Sequence, residues 1–189
     1  MRLNHKIKID LFEVLRTGKF DFVTIGKSKK WILQNFVDPD ARMDIESKGE
    51  ANYWIYGRIE FYFEQEILVE ISMKDVRSLD GGQNLEIDDW IFNENDGQTV
   101  KSVIEQIVKN RIEFQVKHHV SEYNCQTSIG LLQAGAHLVF NPDEPEVIDY
   151  NKWMKEDSKL IDPNLHKLSS ISLVERERIK TVYNNGFHE

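Results

Sequence analysis

Between Tyr53 and Met73 the chain leaves little choice of local structure. Three aromatic and β-branched runs follow one another: Tyr53-Trp54-Ile55-Tyr56-Gly57, Ile59-Glu60-Phe61-Tyr62-Phe63 and Ile67-Leu68-Val69-Glu70-Ile71-Ser72-Met73. Such residues fit a pleated, half-buried surface, and the tight connections between the runs mark successive strands. Glu64-Gln65-Glu66 is the expected hairpin turn. In the second run Ile59, Phe61 and Phe63 alternate with Glu60, Tyr62 and Glu64, as in an antiparallel strand with one face in a core.

Helical segments flank this sheet. Asp10 to Gly18 reads as a helix capped by Asp10 and closed by Gly18, with Leu11, Phe12, Val14 and Leu15 on its apolar side. After an extended piece, Phe20 to Ile25, Ser28 caps a second helix that is expected to bury Trp31, Ile32, Asn35 and Phe36 and to stop at Asp38-Pro39. Residues 40–52 read as a polar loop, and Asp80–Asn84 and Asn93–Gly97 as two more. Thr99 caps a third helix with Val100, Val103, Ile104, Ile107 and Val108 at helical spacing. An alternating strand, Ile112–Val116, and a hairpin about Ala134-Gly135 follow. Ser172-Leu173-Val174-Glu175 reads as the capping box of a final helix ending near Tyr183, with Arg176, Arg178 and Lys180 as a basic, solvated side.

The expected class is therefore α+β, with two tandem helix-plus-antiparallel-sheet units and a C-terminal helix. The units span 1–80 and 81–150, and 151–189 is an extension. Each unit runs from a capped helix through a strand to a hairpin. The spacing is similar too, Ser28 to Gln65 and Thr99 to Ala134, although residue identity between the copies is poor.

A formal charge of −8 disfavours nonspecific nucleic-acid binding, which needs a positive footprint to release phosphate counterions. It suits solubility, or steering toward a basic protein partner. Cys125 is the only cysteine, so neither an intramolecular disulfide nor a cysteine-rich zinc site is available. No apolar run approaches the length of a membrane span and no apolar segment follows the basic start, so the expected compartment is the cytoplasm and no membrane association is expected.

The search for chemistry ends mostly in ordinary structure. Gly26-Lys27-Ser28 resembles the end of a phosphate-binding loop, but the position needing the first glycine is Asp21, so a joint and a helix cap are expected. His118, His119 and Cys125 invite a nucleophile or a metal. A Cys nucleophile needs an activating His and a third group to orient it, and adjacent histidines on a strand point to opposite faces. Pairs such as Asp38/Asp40 and Glu144/Glu146 show no convergence in a cleft. No catalytic, cofactor-binding or metal-ligating residue is assigned, and the chain is not expected to be an enzyme.

The sheet face opposite the core is more informative. Tyrosine flanked by carboxylates gives contact area at low entropic cost, so Tyr53, Glu60, Tyr62, Glu64 and Glu66 are the candidate protein-binding surface. A second layer covering that face is the alternative.

The stretch from Phe20 to Met73 also carries a resemblance. A Gly-x-Ser entry into a helix at Gly26-Lys27-Ser28, an Asp38-Pro39 stop and a returning hairpin with Trp54-Ile55-Tyr56-Gly57 and Phe61-Tyr62-Phe63 form a recurring pattern. It is similar to the small helix-plus-antiparallel-sheet unit of outer-membrane lipoproteins of the BamE type and of the β-lactamase inhibitor protein, which has the unit in tandem. Small bacterial proteins described as immunity proteins of toxin systems look like it as well. Unlike the lipoproteins, the chain is not expected to carry a signal peptide or a lipidation cysteine.

The resemblance implies a scaffold used for protein binding and brings no catalytic residues with it. The expected function is a cytoplasmic immunity or inhibitor protein that neutralises a toxin, its partner a basic domain. A structural or regulatory interaction module, including a homodimer that buries the aromatic face, is the alternative. An enzyme using His119, Cys125 or the carboxylates is a third.

Overall fold

The computed structural model describes residues 6–43, 52–88, 98–121, 125–143, 153 and 158–184. Strands β1 to β10 span Ile7–Asp10, Ala41–Met43, Asn52–Tyr56, Ile59–Glu64, Ile67–Lys74, Leu85–Asp88, Gln115–Val120, Cys125–Leu131, Ala136–Asn141 and Lys167–Val174. Helices α1 to α4 span Leu11–Thr17, Lys29–Asn35, Val100–Lys109 and Arg176–Asn184. The class is α+β with a C-terminal helix. β1 and β6 form a parallel pair, and the other strands form an eight-stranded antiparallel sheet in the order β2-β3-β4-β5-β10-β9-β8-β7.

Local chemistry explains the elements. Gln65 and Glu66 both take positive φ, 47° and 70°, the left-handed pair that lets a two-residue turn follow the twist of its strands. The Asp10 carboxylate accepts from the Glu13 amide, Ser28 Oγ from the Trp31 amide, and Thr99 and Ser102 make a reciprocal capping box. Gly18 closes α1 at φ 71°.

One continuous core joins the sheet to three helices. Phe61, Phe63, Ile71, Leu138, Phe140 and Ile171 point from the sheet toward Leu11, Val14 and Leu15 of α1, Ile32 of α2, and Val103 and Ile107 of α3. Each such side chain contributes about 1.5–3 kcal/mol on full burial. Helix α4 lies on the opposite, outer face, where Ile179 and Tyr183 pack with Val174 and Leu132.

Several elements differ from expectation. Ser172-Leu173-Val174 does not open a helix: it ends β10, and α4 begins at Arg176. Leu173 faces the core, opposite Ile71 and Ala136, while the Ser172 hydroxyl donates to Glu70 at 2.9 Å. A bulge between Leu168 and Ser170 breaks the period of two, which hid this strand. Phe20–Ile25 is not extended but a tight turn, with Phe20 and Val23 bridged and Asp21 at φ 56°. The strand expected at Ile112–Val116 runs instead from Gln115 to Val120. Within 40–52, Ala41–Met43 forms an edge strand, while 44–51 and the expected Asn93–Gly97 loop lie outside the described residues. Helix α2 buries Ile32 and leaves Asn35 exposed.

β10, from the C-terminal segment, lies between β5 and β9. The strand sets β3-β4-β5 and β7-β8-β9 thus run toward each other across one sheet and close on a common central strand.

Candidate protein-binding face

Alternation along β4 separates two chemistries. Ile59, Phe61 and Phe63 are buried against the helices, while Glu60 and Tyr62 are half-buried on the outer face and Glu64 is exposed. Tyr53 on β3 is paired directly with Tyr62, and their rings stack at 5.5 Å between centroids, 29° apart. Ile55 pairs with Glu60 beside them.

From β5, Lys74 reaches across this face. Its Nζ lies 2.7 Å from Glu60 Oε2 and donates to the Tyr62 hydroxyl at 3.0 Å, and the Tyr62 hydroxyl in turn donates to Glu60. The hydrogen bonds to Glu60 and Tyr62 push the Lys74 ammonium above its usual range, and partial burial with the Glu60 bond raises the Tyr62 phenol. Both groups keep their protons at neutral pH, so the network holds a surface in place and offers no general base. Glu70 lies opposite Tyr62 and accepts from Ser172. Between Tyr62 and Phe63 the β4–β5 register shifts, which leaves Val69 as the extra residue and aligns Glu70 with the tyrosine.

Four of the five expected residues, Tyr53, Glu60, Tyr62 and Glu64, therefore share this face. Glu66 does not join them: it sits in the hairpin turn, and its carboxylate pairs at 3.0 Å with Lys29, a buried lysine of α2 lying over the Phe63 ring. Lys74, Glu70 and Ser172 were not foreseen, because their placement depends on the bulge and on β10. Of the four described helices, only α4 lies on the outer side, over β8 and β9, leaving β3–β5 uncovered by any of them.

The histidine–cysteine cluster has another character. His118 Nδ1 lies 3.0 Å from Thr127 Oγ1 on the helix side, and His119 is paired with Gln126, so the two histidines face opposite ways. The group that meets Cys125 is His166, with Nε2 at 4.0 Å from Sγ and Nδ1 at 3.0 Å from Thr127 Oγ1. No spacing signal links His166 to Cys125, which lies 41 positions earlier. Burial pushes the Cys125 thiol up, and burial together with His118 pushes His166 down. Both are thus held neutral, the reverse of an activated thiolate–imidazolium pair, and both are shut away at 2% and 0% exposure. Among the described residues no group of three or more His, Cys, Asp or Glu is placed to hold a metal.

The Gly26-Lys27-Ser28 segment is a joint and a cap. The Gly26 amide donates to the Leu68 carbonyl and the Leu68 amide to that of Lys27, at 2.8 Å each, along β5 beyond the end of β10. The nearby cleft of about 730 Å³ is lined by Lys19, Arg176 and Arg178 but equally by Glu64, Glu175 and Glu177, so no net charge selects a ligand. On the last helix Arg176 and Arg178 are exposed, as expected of a solvated basic side; Arg176 also donates to the Thr17 carbonyl at 3.3 Å and Lys180 pairs with Glu177 at 2.7 Å. Among the described residues no helix is long and apolar enough to cross a membrane.

Comparison with protein-family models, with curated proteins and with solved structures found no match.

Proposed function

We propose that the chain is a binding protein of the immunity or inhibitor kind, which acts in the cytoplasm and neutralises a basic toxin domain by covering it. The observation that carries this reading is the outer face of β3–β5, where a stacked Tyr53–Tyr62 pair is set among Glu60, Glu64 and Glu70. Tyrosines held by a sheet lose little freedom on binding, and an interface forms around such rigid anchors. Carboxylates around them, on a chain of charge −8, accelerate encounter with a basic partner.

Affinity capture from the native host, with the neighbouring genes intact, tests the reading. Recovery of a stoichiometric basic protein, whose activity the purified chain then suppresses, is the expected result. Recovery of the chain alone while those genes are expressed counts against it.

A further inference from the structure

The two edges of the large sheet are built differently. β2 is three residues long and carries Arg42, a short charged edge of the kind that resists pairing. β7 has six residues and, among the described residues, a strand on one side only. It contains no proline and no carboxylate, and its register with β8 is unbroken. Its single lysine does not guard it: Lys117 Nζ donates to the Val182 carbonyl and lies 5.5 Å from the Tyr183 ring centroid, folded toward α4. Val116 and Val120 stand 42% and 47% exposed.

This edge is also self-complementary. Val116 and Val120 lie two residues either side of His118, and strand alternation puts all three on the helix side of the sheet. We propose that β7 is a self-association edge, onto which a second copy of this chain adds its own β7 antiparallel, across a two-fold axis through His118. In that register each Val116 faces Val120 of the other copy, so four half-exposed methyl-bearing side chains become cross-strand pairs. Across such an axis both copies use the same patch, so the Val116–Val120 contact forms twice, once on each side of His118. The joined sheet leaves both β3–β5 faces open, so the inference goes beyond the proposed function and does not depend on it.

Sedimentation equilibrium of the purified full-length chain, with no partner present, tests the proposal. A concentration-dependent dimer is expected, and Val116→Lys and Val120→Lys each weaken it at least about tenfold, a loss of about 1.4 kcal/mol. Their far-ultraviolet spectra and unfolding midpoints stay close to wild type, because both sites are solvent-facing on an edge. His118→Cys gives an intermolecular disulfide on mild oxidation, since directly opposed Cβ atoms lie about 4.5–5.5 Å apart. Val108→Cys, on the exposed side of α3, gives none. A wild-type chain that stays monomeric at every concentration overturns the proposal. So does a dimer that survives both lysine substitutions while His118→Cys fails to cross-link.

Discussion

Gly130 lies directly beneath the ring of Tyr183: a Cβ built on the glycine would fall 2.7 Å from Cδ2 and Cζ of that ring. The bare backbone of β8 is what allows α4 to rest on the sheet. Gly130→Ala is therefore expected to lift the helix and cost about 1–3 kcal/mol, as overpacking does. Urea unfolding measures the loss, and limited proteolysis should show earlier cleavage beyond Val174.

The Tyr183 hydroxyl is buried and has no hydrogen-bond partner among the described residues, and burial pushes its phenol up to about 12. The nearby Ser128 acts in the opposite direction without reaching hydrogen-bond geometry. An unpaired buried hydroxyl carries a desolvation cost of about 1–3 kcal/mol, so Tyr183→Phe should leave stability unchanged or raise it. Tyr56→Phe should do the opposite. The Tyr56 hydroxyl, fully buried, donates to the Val37 carbonyl at 3.0 Å, and its loss strands that carbonyl at a cost of about 1–2 kcal/mol. Paired denaturation curves read the contrast in sign.

Acidification should weaken the fold through His166 and His137. Burial holds both folded-state imidazoles below the ordinary histidine value. The unfolded chain therefore takes up protons first, near pH ~6.5. The stability these groups contribute is fully present above that pH and is lost as pH falls from there through their folded-state values. Unfolding free energy should be level between pH 8 and 7, then fall below ~6.5 by up to about 1.4 kcal/mol per pH unit for each histidine. A flat profile down to pH 5.5 would contradict the burial of His166.

Cys125 should be chemically silent. Its thiol is 2% exposed and is held protonated by burial. An aromatic disulfide reagent should react with it only at the rate of unfolding, and in full once denaturant is added. Fast native-state reaction would contradict the burial of Cys125.

Much of this architecture was legible where a signal is local. The alternation in Ile59–Glu64 assigns the faces of β4, and Asp10, Ser28 and Thr99 announce their helices because each satisfies an amide three residues on. What could not be read depends on partners distant in sequence. β10 is central because β5 and β9 bracket it, yet its serines face outward and its bulge spoils the alternation. The parallel β1–β6 pair joins Ile7 to Leu85, with no turn between them to betray it. The binding face divides in the same way. Tyr53 meets Tyr62 through a hairpin that the sequence displays, whereas Lys74 reaches Glu60 through a neighbouring strand in bulged register. Glu66 was misplaced because a left-handed turn swings it toward Lys29.

Quantitative affinity capture from the native host probes the binding face with three baits: wild type, Tyr62→Ala, and Val116→Lys at the far edge of the sheet. If the outer face of β3–β5 binds the partner, wild type and Val116→Lys retain one basic protein at matched stoichiometry. Tyr62→Ala, folded by the same spectroscopic criteria, loses it at least about thirtyfold, as removal of an anchor worth about 2 kcal/mol requires. Equal retention by all three baits, or loss with Val116→Lys alone, would place the binding site away from the β3–β5 face.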